Sequence, residues 1–133
     1  MIPEIISQWE KRKRLLATFF RNRLKNKPDV FLPTYLDILA YTFDYVIKDR
    51  ISTYHDVTWN ANDIILINDY HYEGTLILII PPDDNAPLLE DFLITTVEYG
   101  SQDALLKAKS VSDYMEIAFG MVERLKPLYS HAY

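Results

Sequence analysis

Two short runs, Ile64 to Ile67 and Leu76 to Ile80, are apolar at every position, and Tyr70-His71-Tyr72-Glu73-Gly74 lies between them. Ile- and Leu-rich runs bounded by turn residues read as strands, so the pair predicts a β-hairpin with Gly74 at a positive φ. The expected strands are Asp63 to Asp69 and Thr75 to Ile80, the second ended by Pro81 and Pro82. A strand apolar on both sides needs cover on both faces, from helices or from another copy of the chain. That requirement limits the choice of fold more than any other part of the sequence.

A third strand is expected at Phe92 to Tyr99, where Leu93, Thr95, Val97 and Tyr99 alternate with Phe92, Ile94, Thr96 and Glu98. Its mixed composition suggests an edge position. Sequential strands usually neighbour each other, which makes a three-strand antiparallel meander with Thr75 to Ile80 at its centre. His55 to Trp59 is read as a fourth, shorter strand.

Helices are expected on either side of the meander. Ile2, Ile5, Ile6, Trp9, Leu16, Phe20 and Leu24 follow helical spacing from Pro3 to Lys25, with Pro28 as the stop. A second helix is expected from Pro33-Thr34, with Asp37 in a capping role and Leu36, Leu39, Phe43, Val46 and Ile47 as its buried stripe. Ile38, Tyr41 and Tyr45 fall on a different side, where packing inside the monomer is the first expectation. Ser101 would cap a short helix through Lys109, and Ser110 with Asp113 would open another before Pro127, with Tyr114, Met115, Ala118, Met121, Val122 and Leu125 inside. The fold class is therefore α+β, with two N-terminal helices, a three-strand antiparallel meander and C-terminal helices in a single domain, 1–133. The expected core is Trp9, Phe20, Leu39, Phe43, Ile65, Ile67, Leu76, Leu78, Val97, Val122 and Leu125.

Charge is segregated along the chain. Eight of its 14 basic residues fall in the first 27 positions against Glu4 and Glu10, a head of +6, whereas from Asp29 onward six basic residues face 17 acidic ones, a body of −11. Lys11, Arg14, Thr18, Arg21 and Lys25 step by three and four, which lines them up opposite the apolar stripe of the first helix. Such rows usually form a solvated face, and the alternative is a docking strip for an anion or an acidic partner.

Composition removes several classes of function. The chain has no cysteine, which excludes disulfides, thiolate metal sites and a cysteine nucleophile and favours a cytoplasmic location. No apolar run approaches the ~20 residues that span a bilayer, so no membrane partner is expected. The start Met-Ile-Pro-Glu lacks the charged and apolar regions of a signal peptide, so secretion is not expected either.

The stretch Asp69-Tyr70-His71-Tyr72-Glu73-Gly74-Thr75-Leu76, followed by Ile80-Pro81, Phe92, Thr95, Val97 and Tyr99-Gly100-Ser101, resembles a pattern in small phage and prophage proteins of unassigned function. Those proteins have a shorter Asp-Tyr-Gln-Gly-Thr turn and cysteines after Tyr-Gly-Ser, where this chain has Gln102-Asp103-Ala104-Leu105. The resemblance covers the C-terminal half. It implies a mobile-element origin and carries over no catalytic residue.

Acid, base and ligand types occur together only at His55, Asp56, Asp69, His71 and Glu73, and the spacing does not converge them on one ion, so ordinary turn residues are the expected reading. No catalytic residue, metal or cofactor is expected. The 10 tyrosines suit an interface, because a tyrosine is apolar along the ring and polar at its tip. The leading expectation is a non-enzymatic protein-interaction module that binds a host or partner protein through an acidic, tyrosine-bearing surface, with homo-oligomerisation as a further expectation. The candidate binding residues are Lys11, Arg14, Arg21, Lys25, Tyr41, Tyr45, Tyr70, His71 and Tyr72. Two alternatives are a nucleic-acid-binding protein using the basic helix and a small metal-dependent hydrolase using the His55 and His71 region.

Overall fold

The computed structural model describes residues 3–26, 30–47, 51–52, 56–69, 74–83, 91–99 and 103–128. Along the chain these form α1 (Pro3–Asn26), α2 (Tyr35–Tyr45), β1 (Ile51–Ser52), β2 (Asp56–Val57), a 3-10 turn (Ala61–Asp63), β3 (Ile65–Asp69), β4 (Thr75–Ile80), β5 (Leu93–Glu98), α3 (Ala104–Lys107), α4 (Val111–Glu123) and β6 (Lys126–Pro127). The α+β order expected from the sequence holds. The main sheet has four antiparallel strands in the order β3-β4-β5-β6, and β1 pairs with β2 in a separate ribbon.

The helix starts follow capping chemistry. Thr34 Oγ1 accepts the Asp37 amide at 3.1 Å while the Asp37 carboxylate accepts the Thr34 amide at 2.9 Å, and Ser110 with Asp113 repeats the reciprocal pair at the start of α4. The short helix α3 is capped by Asp103, whose carboxylate takes the Leu105 amide at 2.9 Å. Ser101, the expected cap, lies outside the described residues.

Ile5, Trp9, Leu16 and Phe20 of α1 are buried against a core that includes Ile38, Leu39 and Phe43 of α2 and Tyr114, Ala118, Met121 and Val122 of α4. Complete burial of each large side chain contributes roughly 1.5–3 kcal/mol. Leu39, Phe43, Val46 and Ile47 are buried as expected and Ile38 packs inside the monomer, while Leu36 is only half-buried. The last turn of α2 has no basic residue of its own, and Arg12 of α1 supplies one, donating to the Val46 carbonyl at 3.4 Å.

Helices cover one face of the sheet. Register pairs Leu66 with Leu78 and Leu78 with Thr95, so Leu66, Leu78, Ile80, Leu93, Thr95 and Val97 share a face, and all but Leu66 are buried. The opposite face carries Ile65, Ile67, Ile77, Ile79 and Ile94, and none of them is fully buried.

The meander departs from expectation in three ways. Strand β5 is interior because Leu93 and Ile94 pair with Pro127 and Lys126 of β6, a strand too short to signal itself in sequence. Among the described residues β3 pairs only with β4 and is therefore the edge. Ile65 and Ile67, expected in the core, are 47% and 43% exposed, and Leu76 is half-buried. The helical layer meets the sheet over β5, and β3 lies two strands away.

At the hairpin, Gly74 has φ +85°, and a Cβ there would overlap the Tyr99 carbonyl oxygen. Glycine is required on both counts. Tyr99 also closes this end of the sheet through a 2.9 Å bond from its hydroxyl to Asn68 Oδ1.

Candidate functional site

The basic row forms as the spacing predicts. Lys11, Arg14, Arg21 and Lys25 are all exposed on the outer face of α1, with Thr18 between them and Leu15 beside them, 53% exposed. At 1.5 Å per residue the row is about 21 Å long. Three neighbouring cations are engaged elsewhere: Arg12 under α2, Lys13 with Glu10 at 3.0 Å, and Arg23 over the Phe19 ring at 5.1 Å. The row itself can offer four positive charges to one extended anion.

The tyrosines of α2 belong to the monomer's own packing. Tyr41 and Tyr45 flank Phe19 with ring centroids 4.5 and 5.0 Å away, inside an aromatic cluster that continues through Phe20, Phe31 and Tyr114. Burial, then the charge of Asp37, raises the Tyr41 pKa, which keeps its hydroxyl protonated. Tyr70, His71 and Tyr72 lie outside the described residues, as do His55 and Glu73. Among the described residues no group of three His, Asp or Glu side chains that could hold a metal ion comes together.

A cleft of about 720 Å³ opens between α4, α3 and the end of β5. Its charged lining is mixed, with Lys107 and Arg124 facing Glu98, Asp113 and Glu116. Two of its polar side chains, Tyr35 and Arg124, hold the fold together. Tyr35 donates to Asp103 Oδ1 and accepts the Leu105 amide at 3.3 Å, tying α3 to α2. Burial, reinforced by the Asp103 hydrogen bond, raises the Tyr35 pKa, so it is held as a neutral donor. Arg124 Nε donates to the Thr96 carbonyl at 2.8 Å, and its guanidinium lies beside Gly120.

Ile65 and Ile67, expected in the core, belong instead to an exposed apolar run on β3. Ile65, Leu66 and Ile67 are consecutive, point alternately to the two faces of the sheet, and are 47%, 45% and 43% exposed. An edge strand also presents backbone amides and carbonyls along its outer side. Continuous apolarity was the available sequence signal. It becomes a surface signal only once β3 is known to be the edge.

No protein-family model, curated protein or solved structure matches this chain. Among the described residues no helix is long and apolar enough to cross a membrane.

Proposed function

We propose that this chain is a non-enzymatic protein-interaction module whose contact surface is the β3 edge, with the isoleucine face of the sheet beside it. One observation carries the reading: three consecutive large apolar side chains, each more than two-fifths exposed, on a strand that pairs on one side only among the described residues. Apolar surface of this kind on a sheet marks a binding site, and an extended partner strand would satisfy the side chains and the backbone together. The contact residues therefore move from Tyr41 and Tyr45, which pack on Phe19, to Ile65, Leu66 and Ile67. Absence of cysteine supports a cytoplasmic setting. A phage or prophage origin rests on the sequence resemblance of the C-terminal half.

The test is affinity capture with the full chain as bait, beside an Ile67→Asp variant shown by circular dichroism to be folded. A stoichiometric protein ligand bound by the wild type and lost by the variant supports the reading. Equal recovery by both baits, or none by either from a chain that also stays monomeric, removes it.

A further inference from the structure

We infer that the β3 edge pairs with the β3 edge of a second copy of this chain, joining two four-stranded sheets into one across a two-fold axis at Leu66. This rests on the protein-interaction reading above and names the partner.

The argument starts from register. Antiparallel partners directly opposite each other point to the same face, so a symmetric edge-to-edge pair must be centred on a residue. Centred on Leu66, the pairing sets Ile65 against Ile67 of the other copy twice and Leu66 against Leu66. Every exposed apolar side chain of the strand then meets an apolar partner, on the face where it already points. No ionisable residue falls within the matched span from Ile64 to Asn68, and just beyond it position 63 of each copy comes opposite position 69 of the other, both aspartates. Moving the centre to Ile67 would set Ile65 opposite Asp69, and moving it to Ile65 would set Ile67 opposite Asp63. Both alternatives press a carboxylate against an isoleucine, which costs its hydration. Matching of the three exposed apolar side chains thus selects the Leu66 register, although charge opposes it at both ends.

The sequence of β3 itself also lacks the usual protection of an edge. Natural edges are blunted by Lys, Pro or a bulge, and Ile65–Asp69 reads Ile-Leu-Ile-Asn-Asp, with its only charge at the far end. The two isoleucine faces would become continuous across the junction. Five residues of strand are about 17 Å long, so the contact is narrower than a standard interface and the pair should dissociate on dilution.

Sedimentation velocity of the full chain over a concentration series tests the inference, using wild type, Ile65→Lys, Ile67→Glu and an equimolar mixture of the two variants. Both substitutions fall at half-exposed positions, and circular dichroism confirms that each variant is folded. Wild type should move from the 15.6 kDa monomer toward twice that mass as concentration rises. Each variant alone should stay monomeric, because its new charge faces an isoleucine. The mixture should regain the dimer, since the Leu66-centred register places the new lysine of one chain against the new glutamate of the other. A wild type that stays monomeric, single variants that associate as well as wild type, or a mixture that stays monomeric while wild type pairs would each overturn the inference. A monomeric wild type that still captures a different protein through Ile67 would leave the broader interaction reading standing.

Discussion

Thr95 Oγ1 donates a 2.7 Å hydrogen bond to the Met121 carbonyl, joining the interior strand β5 to the last turn of α4. The Leu125 amide bonds to the Val122 carbonyl at 3.1 Å, so the buried threonine serves a carbonyl of the kind that helix ends leave unpaired. Thr95→Val keeps the shape and removes the donor. It should cost about 1–3 kcal/mol in urea denaturation, and Thr95→Ser should recover most of that loss.

The two described glycines should respond in opposite directions to alanine. Gly74→Ala places a Cβ on the Tyr99 carbonyl at a positive φ and should destabilise by more than the ~1–2 kcal/mol of left-handed strain alone. At Gly120 a Cβ would lie 3.4 Å from the Arg124 guanidinium, the movable end of a long side chain. Gly120→Ala should therefore stabilise α4 by up to about 1 kcal/mol. Thermal melts of the two variants give the signs.

Phe43, 4% exposed, packs edge-on to Trp59 with centroids 6.1 Å apart. Phe43→Ala should cost roughly 3–5 kcal/mol through the cavity it leaves. Ile65→Ala, at a position that keeps nearly half its surface in water, should cost under about 1 kcal/mol in dilute monomer. Equal losses in chemical denaturation would place β3 in the core after all.

Stability should fall at both extremes of pH through identified groups. The Tyr35 pKa is raised in the folded state, so its contribution is complete below the unfolded value of about 10 and is lost as pH rises above it. Asp113 is shifted the other way by the Lys109 and Ser110 amides, at 2.9 and 3.0 Å, and then by the Ser110 hydroxyl. Its contribution is present above the unfolded value near 3.9 and is lost as pH falls through the lowered folded one. In melting curves against pH, Tyr35→Phe should flatten the alkaline limb and Asp113→Asn the acid limb.

The basic row is expected to act as a solvated face. Four phosphate contacts by Lys11, Arg14, Arg21 and Lys25 would give duplex binding a salt slope of about −3.6, while the acidic body repels the same polyanion. Titration of labelled DNA and RNA at two salt concentrations should show no such binding. Reversing the four charges should change stability by no more than roughly 0.5 kcal/mol per site. Micromolar, salt-sensitive binding lost in the quadruple variant would transfer function to α1.

Local rules in the sequence determined the parts that local rules govern. The amphipathic spacing of α1, the Thr34-Asp37 and Ser110-Asp113 capping boxes, the positive φ of Gly74 and the alternation of β5 each depend on residues within a few positions of one another, and each appears as read. Tertiary structure alone decided which strand is the edge. That outcome depends on Lys126 and Pro127 reaching back to pair with β5 and on α4 docking over β5 through Thr95. An apolar strand reads identically in sequence whether neighbours cover it or not. For Ile65, Leu66 and Ile67 the difference between core and surface is therefore set by packing partners far away along the chain.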